Sequence, residues 1–168
     1  IILYSNKILG KLIVPFKNWI PFASDLSLER IIWKVAEQLF KEVQKTYQEK
    51  TQIPDDLLIA LRFVFGSCAL QALDLVDQRS VTCVSSPSGR RAYQVMGGSG
   101  LLYTCYTYCH YCPCPAFSYT VLRRNESLLC KHILAAYLSQ AMGLFQQETL
   151  SDQHMSNILS GRAAATDT

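Results

Sequence analysis

The sequence predicts an α+β fold: N-terminal helices, a small antiparallel β-sheet, and a ββα-type finger running into a C-terminal helix. Three observations carry this. Residues 27–77 repeat apolar side chains at three- and four-residue steps, the helical period. Residues 80–108 switch to short β-rich runs punctuated by Gly and Pro, the pattern of strands and turns. Residues 109–132, CHYCPCPAFSYTVLRRNESLLCKH, gather four of the seven cysteines and two of the three histidines, and helix formers follow. At 168 residues and 49% hydrophobic content, the chain suits one packed domain with an extension.

Residues 1–26 are read as an extension of unknown status. Pro15 and Pro21 break any helix there, and Lys7, Lys11 and Lys17 interrupt its apolar patches. No run approaches the roughly 20 apolar residues of a membrane span, so no membrane partner is expected. The segment also lacks the small-residue cleavage site of a signal peptide.

Residues 27–78 form a helical region. The first helix runs from Ser27, its N-cap, to Lys50, with Leu28, Ile31, Ile32, Val35, Leu39, Val43 and Tyr47 as its apolar stripe. The second starts at IPDD. Pro54 suits a first helical position, and Asp55 and Asp56 oppose the positive end of the dipole. Gly66 ends it or kinks it into a third.

Residues 79–142 hold a β-hairpin and the finger, whose metal core spans 105–142. SVTCV and RAYQVM flank the turn SSPSGR, and LLYTCYTY is a third strand after the break at Gly97, Gly98 and Gly100. A helix from Ser127 to Met142 follows, capped by Asn125 or Ser127. Residues 143–168 give a short helix stopping at Gly161, then a flexible tail.

The cysteine usage points to a metal. Seven is odd, and the thiols are clustered instead of spread as staples, which fits metal-bound thiolates in a reducing compartment. Cys112, Cys114, Cys130 and His132 read Cys-x-Cys, fifteen residues, Cys-x-His. Residues two apart in an extended chain point the same way, so Cys112 and Cys114 can share one ion. Residues two apart in a helix diverge, so Cys130 is expected in or just before the first turn, with His132 immediately inside. Three thiolates and an imidazole close the shell of one structural zinc ion. Cys109 is a rival ligand, because Cys109 and Cys112 form the commoner Cys-x-x-Cys knuckle. Cys68, Cys83 and Cys105 read as core thiols, His110 as a packing or hydrogen-bonding residue, and His154 as surface.

CPC, the fifteen-residue gap and CKHILA resemble the SWIM zinc-finger pattern. Ala135, three residues after the histidine, matches an extended form of it. IPDDLLIALRFVFGSCALQALDLVD, SSPSGRRAYQV, CHYCPCPAFSYTVLRR and LLCKHILAAYLSQ together resemble the SWIM-domain subunits of Shu complexes. The resemblance implies a nuclear, non-enzymatic factor in homologous recombination repair of DNA. It implies a RecA-like recombinase paralogue with ATPase activity as partner. It also implies that the four SWIM ligands, with Ala135 as a packing residue, are needed for that pairing.

Other classes stay in view. The face formed by Ile133, Leu134 and Tyr137, beside small Ala135, could seat a partner helix, or it could be core. Arg90 and Arg91 after the hairpin turn, and Arg123 and Arg124 near Tyr119, are candidate contacts to single-stranded DNA. The net charge of +3 permits such contact without demanding it. A cysteine nucleophile is disfavoured, since a catalytic thiol usually stands alone. No G-x-x-x-x-G-K-[ST] loop occurs, so ATP hydrolysis would come from a partner.

Overall fold

The computed structural model describes residues 26–161. The extension expected over 1–26 and the tail after 161 therefore lie essentially outside the described residues. Among the described residues five α-helices and four strands follow one another: α1 (Leu26–Lys50), α2 (Asp55–Phe65), α3 (Cys68–Asp77), β1 (Val81–Ser85), β2 (Arg91–Met96), β3 (Leu102–Cys105), α4 (Lys131–Met142), β4 (Gln146–Thr149) and α5 (Asp152–Leu159). The α+β class is the observed one. No described helix is long and apolar enough to cross a membrane.

Helix α1 begins at Leu26, so Ser27 lies inside it and is not its cap. Its buried face is also rotated from the expected stripe. Ala36 and Val43 are fully buried, with Trp33, Leu39, Phe40 and Tyr47 packed beside them, while Ile31 and Val35 are exposed. Aromatic contacts select this face. Phe40 stacks between Phe65 at 5.5 Å and Tyr137 at 5.0 Å, and Trp33 stacks on His110 at 3.9 Å. Such pairs add stabilisation beyond their buried area.

Pro54 is the cap residue of α2, with an extended backbone, one position before the one expected. Gly66 adopts φ +66° and donates its N–H to the Arg62 carbonyl, separating α2 from α3. Helix α3 packs against α4. Small buried residues on both helices, Ala69 and Ala72 on α3 and Ala135, Ala136 and Ser139 on α4, allow a close approach.

The sheet order is β3-β2-β1-β4. β1, β2 and β3 form the expected antiparallel meander, with Cys83 opposite Tyr93 and Tyr93 opposite Cys105. β4 was not anticipated. It pairs parallel to β1, Thr82 opposite Gln146, so the sheet is mixed. A parallel pair needs a crossover, and the chain from β2 through α4 supplies it. Gly143, in the left-handed region at φ +68°, ends α4. The Leu144 N–H then bonds the Ser139 carbonyl at 2.9 Å, a Schellman-type closure that turns the chain toward β1.

One face of the sheet joins the main core through Val81, Cys83, Tyr93, Val95 and Cys105. The other face carries a smaller cluster of Val84, Ala92 and Met155, with Tyr106, Leu150 and Leu159 around it. This places α5 on the side opposite α4.

Candidate metal centre

The metal ligands are built from three short pieces of chain. After β3, the turn at residues 107–110 is closed by a reciprocal pair of backbone bonds between Tyr106 and Tyr111, at 2.9 and 3.1 Å. His110 sits in the turn at φ +53°. The turn folds the chain back, so that Cys112 comes near Cys105. Cys109 is in the turn itself, exposed, with its sulfur toward the Tyr106 carbonyl.

Cys112, Cys114, Cys130 and His132 converge, with their four ligand atoms all within 4.8 Å of one another. Cys112 Sγ lies 3.9 Å from His132 Nδ1. Ligands on a tetrahedral zinc ion at about 2.3 Å for sulfur and 2.0 Å for nitrogen stand about 3.5–3.8 Å apart, so the donor set fits one zinc ion with a small contraction. All four are buried. Cys109 is outside this group. The Cys-x-x-Cys alternative fails because the Tyr106–Tyr111 bridge directs residue 109 to solvent and leaves the place to Cys114.

Two of the cysteines also start helices. Cys114 Sγ accepts the Phe117 N–H at 3.3 Å, at the head of a π-helical stretch spanning Phe117–Arg123. Cys130 is the cap residue of α4, with extended φ −85° and ψ 165° and no side-chain cap hydrogen bond; the Ile133 backbone N–H lies near enough to its sulfur to lower the thiol slightly. Cys130 therefore stands just before the first turn with His132 inside it, as the spacing suggested. The helix starts at Lys131, not Ser127, and its cap is a ligand cysteine instead of Asn125 or Ser127. Each sulfur thus lies near a backbone N–H three residues on, at the start of a helical stretch, and only Cys114 accepts it as a hydrogen bond. The field at a helix start favours thiolate.

The protonation pattern fits the same picture. Hydrogen bonding with Cys112 and Cys130 holds the Cys114 thiol well below the usual range. Cys112 is pushed up, first by its hydrogen bonds to Cys105 and Cys114. Cys130 is pushed up by those to Cys112 and Cys114. Zinc binding requires the thiolates and releases the thiol protons.

Two residues that the sequence reading passed over shape the histidine. The Tyr103 ring stacks on the His132 ring at 4.4 Å. Gly97 lies behind it. A Cβ there would stand 3.0 Å from Tyr103 Cε2 and 3.3 Å from His132 Nε2. Gly97 is thus required by space and not by a turn conformation. Only the repeated glycines of residues 97–100 hinted at it.

The remaining site residues separate. Ile133, Leu134 and Ala135 are fully buried within this chain. Tyr137 is half-buried against Phe40, donates its hydroxyl to the Thr107 carbonyl at 2.6 Å and also hydrogen-bonds His110 Nδ1. This corrects the expectation of a partner seat on that face, because α1 and α3 already occupy it. His110 is the packing and hydrogen-bonding residue expected. Arg90 is also taken up internally. It donates to Ser88 Oγ at 2.9 Å, Ser156 Oγ at 3.0 Å and the Asp152 carbonyl at 3.0 Å, so its role is to fasten α5. Arg91 and Arg123 are exposed. The Arg124 guanidinium lies 4.4 Å over the Tyr119 ring and pairs with Glu126 at 3.4 Å.

No protein-family model and no solved structure matches the chain. Individual relatives do. Zinc finger SWIM domain-containing protein 7 of Danio rerio is 76% identical over 132 residues, covering 79% of this chain and 94% of the relative. The Homo sapiens protein of that name is 55% identical over 125 residues, covering 74% and 89%. A homolog from Dictyostelium discoideum is 32% identical over 110 residues, covering 64% and 70%. With its buried Cys-x-Cys and Cys-x-His jaws closing on one ion, the chain belongs to the Zinc finger SWIM domain-containing protein 7 family.

Proposed function

We propose that this protein is the non-enzymatic, zinc-stabilised subunit of a Shu-type complex. In this reading it pairs in the nucleus with a RecA-like recombinase paralogue, which supplies ATPase activity, and promotes homologous recombination repair of DNA. The observation that carries it is the closed, buried four-ligand set in a chain of this family. Four protein ligands leave the ion no position for water or substrate, so the ion's work is to hold shape. The family resemblance contributes the recombination role.

The burial of Ile133, Leu134 and Ala135 alters how zinc would matter to the partner. The ion holds α4 and the Cys112–Cys114 jaw in place, and the partner meets a surface that this frame presents. Co-expression with RecA-like paralogues tests the pairing. Wild type is expected to co-purify with one of them, and His132→Ala to lose it together with zinc. Failure of zinc-loaded, folded wild type to retain any such paralogue overturns the reading. Exclusion of the tagged protein from the nucleus would count against the proposed location.

A further inference from the structure

The segment from Thr104 to Asn125 hangs from the zinc ligands and contains no Asp or Glu. It carries four tyrosines and two arginines instead. Tyr108 is 74% exposed, Tyr119 48% and Tyr111 43%. Exposed rings of this size are costly to leave in water, and three within twelve residues form a cluster. The rings brace one another. Tyr106 touches both Tyr108 and Tyr111 at about 6 Å between centroids, and Tyr111 meets Phe117 edge-on at 5.6 Å. The turn that carries Tyr108 is pinned by the Tyr106–Tyr111 bridge and by His110 stacked on Trp33.

A second station lies on the π-helical stretch. Tyr119 and Arg124 are joined there by a five-residue backbone bond of 3.0 Å, and the guanidinium covers the ring. Arg123 beside them is exposed. Two carboxylates lie near this segment: Glu126, paired with Arg124, and Glu37 of α1, whose charge acts on His110.

We propose that this tyrosine and arginine surface binds single-stranded DNA directly. Bases stack on Tyr108, Tyr111 and the face of Tyr119 that Arg124 does not cover, and exposed Arg123, with Arg124 beside it, takes the backbone phosphates. The proposal deepens the recombination reading and rests on it for the choice of DNA. The surface chemistry carries the rest: every base offers a π-face to a fixed ring, and an acid-free segment does not repel phosphate. Duplex DNA hides its base faces, so it offers only the phosphate contacts.

The test uses the zinc-loaded full chain and a fluorescent oligothymidine of about 20 nucleotides, read by anisotropy over a salt series. Tyr108→Ala and Tyr119→Ala are each expected to weaken binding roughly tenfold. Tyr108→Phe and Tyr119→Phe keep the ring and retain affinity. Arg123→Ala should flatten the log–log salt dependence by about 0.7. Zinc content and circular dichroism confirm that each variant is folded. Equal affinity for duplex DNA, preference for RNA, or alanine variants that bind as wild type would each overturn the proposal. So would loss of the RecA-like partner, instead of DNA, on Tyr108→Ala, since the surface would then be a protein interface. DNA binding by the isolated chain is read separately from co-purification, so either reading can fail alone.

Discussion

The zinc jaws and the α5 clamp both fasten chain onto the same small sheet, by opposite means. Every zinc ligand is buried among core residues. The clamp is a surface network in which the Arg90 and Asp152 side chains are 38% and 48% exposed, over a cluster of only three buried residues. Exposed ion pairs contribute about 0–1 kcal/mol, whereas a structural zinc site can contribute on the order of 10 kcal/mol. The irregular chain from Cys105 to Cys130 has few strand or α-helix bonds of its own, and an ion is what such a segment requires.

Zinc removal is the largest way to break the comparison. Chelation, or Cys130→Ala, is expected to abolish cooperative unfolding, because the ion's contribution rivals the roughly 5–15 kcal/mol that holds a whole domain. Circular dichroism melts with measured zinc stoichiometry check this; an unchanged melting temperature in the zinc-free chain would refute it. Gly97→Ala is next. Its Cβ crowds Tyr103 and His132, and overpacking costs about 1–3 kcal/mol. It should also speed zinc transfer to a chromophoric chelator. Gly98→Ala has nothing within 4 Å of its new carbon and serves as the control, expected to behave as wild type.

Arg90→Ala comes third. It should cost about 1 kcal/mol or less, leave zinc retention unchanged, and speed hydrogen exchange across α5. Faster exchange throughout α4 instead would show that the two fastenings are coupled.

The smallest effect is in pH. Hydrogen bonds from Ser88 and Ser86 hold the Asp152 carboxyl at about 2, below its ordinary 3.8. A depressed carboxyl contributes stability above the ordinary value and loses it as pH falls from about 3.8 through about 2. Protons compete with zinc for thiolates well above that window. Acid titration should therefore release zinc first, and Asp152→Asn should leave that midpoint where it is. A shifted midpoint would tie the clamp to the metal.

Legibility in the sequence followed the range of the interactions. The meander was readable because β-rich runs alternate with Gly and Pro within a few residues. The four metal ligands were readable because short spacings fix local direction. Extended chain before Cys114 aligns two sulfurs, and a helix start at Cys130 is needed to bring His132 alongside. β4 was not readable: Gln146–Thr149 is exposed throughout, so it has no apolar alternation, and β1 lies more than sixty residues away. The π-helical turn gave no signal either. There Thr120 Oγ1 donates to the Ala116 carbonyl at 2.6 Å, the acceptor that its own N–H would take in an α-helix.

By itself the sequence determined the fold class, the ligand set with one rival, and the helix that carries His132, because these follow from local period and spacing. The tertiary structure decided the rest. It chose Cys114 over Cys109 through the bridge that turns residue 109 outward. It rotated α1 onto Phe40 and Trp33, where the aromatic partners are. It drew Ile133, Leu134 and Ala135 into the core and Arg90 into the α5 clamp. Each of these depends on which groups a distant segment brings within contact, and no local pattern contains that distance.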